Sequence, residues 1–169
     1  QVYNIAVSVN GTDGTATASS NSVTAGDQVT LTAKPNAGYQ FVNWTLNGNV
    51  VSTDATYTFT PTASGEYVAN FSPITYTIQA STADKNLGLI QIGETVGTGS
   101  TTQTETVNHG SNVTMHAIVI DPTLYRFVNW TSGTNVVSTD NPLKFTASAN
   151  VNYVANFEAI PVETPQYTI

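Results

Sequence analysis

The sequence predicts a mainly β chain: two tandem small antiparallel β domains, β-grasp-like or small sandwiches, that form a fragment of a longer repeat array. Three observations predict it. The block Tyr39 to Phe71 returns as Tyr125 to Phe157, offset by 86 residues and identical at 20 of 33 positions, and repetition this dense marks one structural unit used in series. The composition is that of strands and turns, 40% hydrophobic and 9% charged, with 12 Gly and 7 Pro in 169 residues. Apolar residues recur with period two, while no stretch carries a 3.6-residue stripe.

The elements follow in order. Tyr3, Ile5, Val7 and Val9 alternate with polar or small residues and read as a half-buried strand. Asp13-Gly14 turns the chain into Thr15 to Ser20. Val29, Leu31 and Ala33 form the next inward face. Tyr39 to Leu46 is apolar on both faces, which predicts a central strand, and Asn47-Gly48 after it is a strong two-residue hairpin signal. Val50-Val51, Tyr57 to Thr60 and Tyr67 to Phe71 complete the unit, with one helical turn admissible near Asn36 to Tyr39. The second unit repeats this order from Tyr76 to Phe157. The repeated bulky residues Phe41/Phe127, Trp44/Trp130, Val50-Val51/Val136-Val137, Phe59/Phe145, Tyr67/Tyr153 and Phe71/Phe157 are the expected core.

Domain boundaries come from the opening phrase Tyr3-Asn4-Ile5, which reappears as Tyr76-Thr77-Ile78 and Tyr167-Thr168-Ile169. Residues 1–73 and 74–158 are expected to be units, and 159–169 a linker and the first strand of a truncated third. Pro161 and Pro165 favour an extended linker. From opening Tyr to the third strand's Gly the first unit takes 23 positions (Tyr3 to Gly26) and the second 34 (Tyr76 to Gly110). The surplus falls in Asp84 to Asn108, either a tolerated insertion or a carrier of specific contacts.

Charge narrows the function classes. The net charge is −7, and Lys34, Lys85, Arg126 and Lys144 are the only cations, so nucleic acid and anionic membrane are poor partners. No apolar run approaches the roughly 18 residues of a membrane span. There is no cysteine, hence no disulfide to support units near the lower size limit for a self-sufficient core.

Candidate chemistry is sparse. His109 and His116 lack further converging ligands, so no metal site is expected. The shared Asp54/Asp140 follow Ser-Thr and read as turn residues whose side chains bond nearby backbone N–H groups. Gly97-Thr98-Gly99-Ser100 lacks the lysine and spacing of a phosphate loop. No nucleophile, base and orienting group assemble, so no catalytic residue, cofactor or enzyme activity is expected. Tyr39, Trp44, Tyr125 and Trp130 form a possible sugar-stacking platform, against a core role for the same tryptophans. Asn10, Asn43, Asn70, Asn112 and Asn129 head N-x-S/T sequons.

Four phrases occur in order twice: an opening Y-x-I strand, G-x-x-V-T-L/M-x-A (Gly26 to Ala33; Gly110 to Ala117), Y-x-F-V-N-W and a closing Y-V-A-N-F. In these the chain resembles the divergent InlB B-repeat, related to the Listeria-Bacteroides repeat of bacterial surface proteins. Leu124 departs from the pattern, standing where Gly38 is in the first unit. The resemblance implies an extracellular or cell-surface bacterial module without catalytic residues, acting as stalk, filament or adhesin spacer. The alternative is a carbohydrate-binding accessory module of a secreted hydrolase or adhesin. Expected partners are neighbouring repeat units, with host or environmental glycans or proteins as further candidates.

Overall fold

The computed structural model describes residues 1–162. The expected Tyr167-Thr168-Ile169 strand lies outside them, as does the linker from residue 163 on. Among the described residues there is no helix, and the segment Asn36 to Tyr39 is a turn closed by Tyr39 N–H on the Asn36 carbonyl at 3.1 Å. The chain divides into two compact units, Gln1–Ile74 and a second beginning at Thr75. Ile74 belongs to the first because its N–H donates to the Gly38 carbonyl at 2.8 Å.

The first unit contains β1 (Val2–Val9), β2 (Gly14–Ala18), β3 (Ser22–Thr24), β4 (Val29–Pro35), β5 (Tyr39–Leu46), β6 (Asn49–Ser52), β7 (Thr56–Phe59) and β8 (Gly65–Pro73). They make a five-stranded sheet, β3-β1-β8-β5-β6, and a three-stranded one, β2-β4-β7. Ile5, Trp44, Tyr67 and Ala69 from the larger sheet meet Val29, Leu31 and Ala33 from the smaller in one buried cluster. This is a small sandwich. The alternation of β4 fixes its register, since a slip by one residue would turn Thr30 and Thr32 inward in place of Val29 and Leu31. Every pairing is antiparallel except one: β1 runs parallel to β8 along Ile5↔Gly65 to Val9↔Ala69. The first and last strands therefore lie side by side in the middle of the sheet.

The second unit repeats the plan with β9 (Thr75–Thr82), β10 (Gly88–Ile92), β11 (Thr102–Asn108), β12 (Asn112–Val119), β13 (Tyr125–Ser132), β14 (Asn135–Ser138), β15 (Leu143–Thr146) and β16 (Val151–Ala159). Its sheets are β11-β9-β16-β13-β14 and β10-β12-β15, again with the opening and closing strands β9 and β16 parallel. Ile78, Ile90, Ile92, Val113, Met115, Trp130 and Ala155 are buried together.

The turns explain two sequence features. Asn47 and Gly48 both have positive φ, +52° and +80°, as the expected hairpin demands. Gly38 also has positive φ, +83°, in the turn from β4 to β5. The corresponding β12–β13 connection is longer, and Asp121 there accepts from Thr123 N–H at 2.9 Å and Thr123 Oγ1 at 2.6 Å. These bonds hold the Asp121 carboxyl below its ordinary range. The longer turn needs no left-handed residue at its end, which is why Leu124 stands where the first unit has glycine.

Two expectations are corrected in part. Tyr39 to Leu46 is an interior strand as expected, paired with β8 on one flank and with the edge strand β6 on the other, but it is not buried on both faces. Its apolar residues fall on both faces because a bulge between Phe41 and Asn43 shifts the pleat. Val42 is thereby turned out, while Phe41 and Trp44 both face the core, their ring centroids 5.7 Å apart. Nor are the repeated valines all core: Val50 is 59% exposed, Val136 60% and Val137 40%. They sit on the edge strands β6 and β14, where only one flank has a neighbour.

Candidate functional site

The four aromatic residues of the expected platform are placed by β5 and β13. Trp44 and Trp130 have 0% exposed surface, so neither indole offers a face to a sugar. Tyr39 and Tyr125 are half-buried at the start of the same strands. The tryptophans belong to an aromatic stack built twice over. Phe41 meets Phe71 at 5.8 Å and 73°, and Phe127 meets Phe157 at 5.9 Å and 72°. The closing Phe of each unit then lies over a glycine of the facing sheet. A Cβ on Gly14 would stand 2.5 Å from the Phe71 ring, and one on Gly88 2.3 Å from the Phe157 ring.

A polar staple holds each bulge. Asn70 Nδ2 donates to Asn43 Oδ1 at 2.8 Å and to Thr45 Oγ1 at 3.2 Å. Asn156 makes the same bonds to Asn129 Oδ1 at 2.9 Å and Thr131 Oγ1 at 3.1 Å. This is the asparagine of Y-V-A-N-F, whose role could have been found by asking why a polar residue recurs inside an apolar closing phrase. The same geometry occupies three of the five sequon asparagines, Asn43, Asn70 and Asn129, in internal bonds. Replacing Asn156 by Ala strands the Asn129 carboxamide oxygen in a half-buried site, and we expect a loss of about 1–3 kcal/mol. Chemical denaturation of the full chain measures it; a change below about 0.5 kcal/mol would remove the staple from the account.

The remaining candidates take structural places. His109 is exposed, its Nδ1 3.3 Å from the Tyr76 hydroxyl, and His116 lies on β12 with Nε2 buried and unpartnered. Among the described residues no three His, Cys, Asp or Glu side chains converge as metal ligands. At Asp54 and Asp140 the expected roles are reversed. Ser52 Oγ accepts from Asp54 N–H at 3.1 Å and Ser138 Oγ from Asp140 N–H at 2.9 Å, so serine supplies the turn's side-chain acceptor. Asp140 contributes its carbonyl, which accepts from Trp130 Nε1 at 3.1 Å, whereas Trp44 Nε1 has no partner among the described residues. Burial, with Tyr57 beside it, raises the Tyr67 phenol above its usual value.

The insertion is where the units part. It lengthens the strand beside β9 and the loop before it. β11 pairs with β9 from Thr102↔Ser81 to Asn108↔Thr75, all of that strand but its last residue, whereas β3 reaches only Val2 to Asn4 of β1. Just before β11 the chain also touches β10: Ser100 and Ile90 exchange both backbone bonds at 2.9 Å. Thr101 then accepts from Thr82 N–H at 3.0 Å, and Gln103 Oε1 accepts from Ile92 N–H at 2.6 Å. Ser100 to Gln103 thus join the edges of both sheets. At the same place the first unit has a cleft of about 620 Å³ lined by residues of β1 and β2 and by Asn21.

A family model described as the divergent InlB B-repeat domain matches residues 3–75 and 92–161. The chain belongs to this family. The first divergent InlB B-repeat match runs from Tyr3 in β1 through the end of β8. The second begins at the end of β10, although β9 takes the place of β1 in the second unit; the departure from the family pattern coincides with the insertion. A comparison with curated proteins gave no match.

Proposed function

We propose that the chain is a non-enzymatic structural module of an extracellular bacterial surface or secreted protein, used in series as a stalk, filament or adhesin spacer. The observation that carries this reading is the duplication of a complete, self-cored β-unit, down to the same aromatic stack and the same asparagine staple. What is repeated is packing rather than a constellation of reactive groups. The family, a repeat of bacterial surface proteins, supports the location. Neighbouring units of the same array are the proposed partners.

Small-angle scattering of an engineered array with three or more units tests the proposal. We expect the maximum dimension to grow linearly with unit number; a compact profile would overturn the stalk. A carbohydrate-binding accessory role is checked by a glycan array, where saturable binding by the intact chain would favour it instead.

A further inference from the structure

We propose that the first unit carries an open strand slot that receives an extended segment of a partner polypeptide, uncharged and with an apolar side chain turned inward. The slot has two walls. Among the described residues, β1 along Ala6 to Val9 has a strand on its β8 side only, because β3 stops at Asn4. β2 pairs with β4 and has no strand on its other edge among the described residues. Unpaired edges of this kind template an added strand.

The second unit shows what such a slot takes. Val7, Ser8 and Val9 correspond to Ala80, Ser81 and Thr82, while Ala16 and Ala18 correspond to Ile90 and Ile92 through their pairings with β4 and β12. In the second unit all five positions are met by Ser100 to Gln103, an extended segment that runs antiparallel to β9. The first unit presents the same two edges without that segment, around the 620 Å³ cleft. The occupant's backbone direction is therefore antiparallel to β1.

Its side-chain chemistry follows from the lining. Ile5, Val7, Ala16 and Ala18 are apolar, Asn4, Thr17 and Asn21 are neutral, and no charged residue lines the cleft. Alanine at 16 and 18, where the second unit has isoleucine, widens the slot by the missing branches, so an inward apolar side chain fills the space. A separate polypeptide fits better than a second copy of this chain, since the Ser100 to Gln103 segment of every copy is already bonded on both flanks. The inference does not depend on whether the chain serves as a stalk.

Titration of the isotope-labelled full chain with an uncharged peptide of residues 99–104 carrying Gln103→Ile, followed through backbone amide shifts, is the test. We expect saturable shifts confined to β1, β2 and Asn21. The bond from Thr82 N–H to the Thr101 carbonyl puts position 103, opposite Ala80, at a hydrogen-bonded place in the ladder, so a peptide with Gln103→Pro in place of Gln103→Ile loses a ladder N–H and should bind at least about tenfold more weakly. The protein variant Ala16→Ile with Ala18→Ile, which installs residues the second unit already accommodates, should stay folded and weaken binding by at least about tenfold. If that variant unfolds, the proline peptide alone decides. Absence of shifts at millimolar peptide, shifts spread elsewhere, or equal binding of the proline peptide would overturn the proposal. Concentration-dependent dimerisation of the chain alone, broadening these same amides, would replace the partner by a second copy and overturn it as well.

Discussion

Replacing Trp130 by alanine is expected to unfold the second unit while the first stays folded. The indole is wholly buried, packs against Phe127 at 5.7 Å and donates to the Asp140 carbonyl. Truncating a buried tryptophan costs about 3–5 kcal/mol. That is comparable to the whole stability of a domain of this size, roughly 0.05–0.15 kcal/mol per residue. The damage stays local because each unit has its own buried cluster. Trp44→Ala should do the same to the first unit at somewhat lower cost, since Trp44 Nε1 has no hydrogen-bond partner to lose. Denaturant unfolding with amide exchange as a per-unit readout measures both. Equal loss of protection in the two units would show that they fold as one body.

Gly88→Ala is the next largest effect. The added methyl would sit 2.3 Å from the Phe157 ring, far inside contact distance, and the ring is itself wedged against Phe127. Overpacking of this kind costs about 1–3 kcal/mol. At Gly14 the methyl would also approach the Lys34 carbonyl at 2.8 Å, so backbone as well as ring must yield. Combining Gly88→Ala with Phe157→Leu should recover part of the loss, because the smaller side chain vacates the space the methyl needs. A double-mutant cycle by thermal or chemical unfolding gives the coupling; strict additivity would mean that the ring is not what excludes the methyl.

Much of this fold was legible because its strands follow the pleat. Val29, Leu31 and Ala33 alternate and are buried; Asn47-Gly48 predicts a hairpin and forms one. In Tyr39 to Leu46 the bulge breaks that correspondence. One extra residue moves Phe41 and Trp44 to the same face at a spacing that period two assigns to opposite faces, and period-two reading then infers a strand buried on both sides. The asparagine that holds the bulge acts across 27 residues of sequence, which no local pattern carries. Val50 and Val136 depart from the expected core for a different cause: the repeat marks them as shared, but exposure depends on which strand ends the sheet, a property of topology. The tryptophan pair was ambiguous between platform and core because an indole serves both, and only the position of the smaller sheet over it decides. The cleft of the first unit was hidden in the comparison of lengths. The longer unit is the one with something added, yet among the described residues the shorter unit is the one with an open edge.

The parallel run of β1 beside β8, and of β9 beside β16, bears on how a unit carries load. Because the two strands point the same way, the chain enters at one pole and leaves at the other. A pull along the chain drags β1 and β8 lengthwise past each other. Force is then shared among the backbone bonds from Ile5↔Gly65 to Val9↔Ala69 at once, instead of opening them singly as in a hairpin pulled from its free ends. The strand pair that closes the sandwich is thus also its tensile seam, loaded in shear.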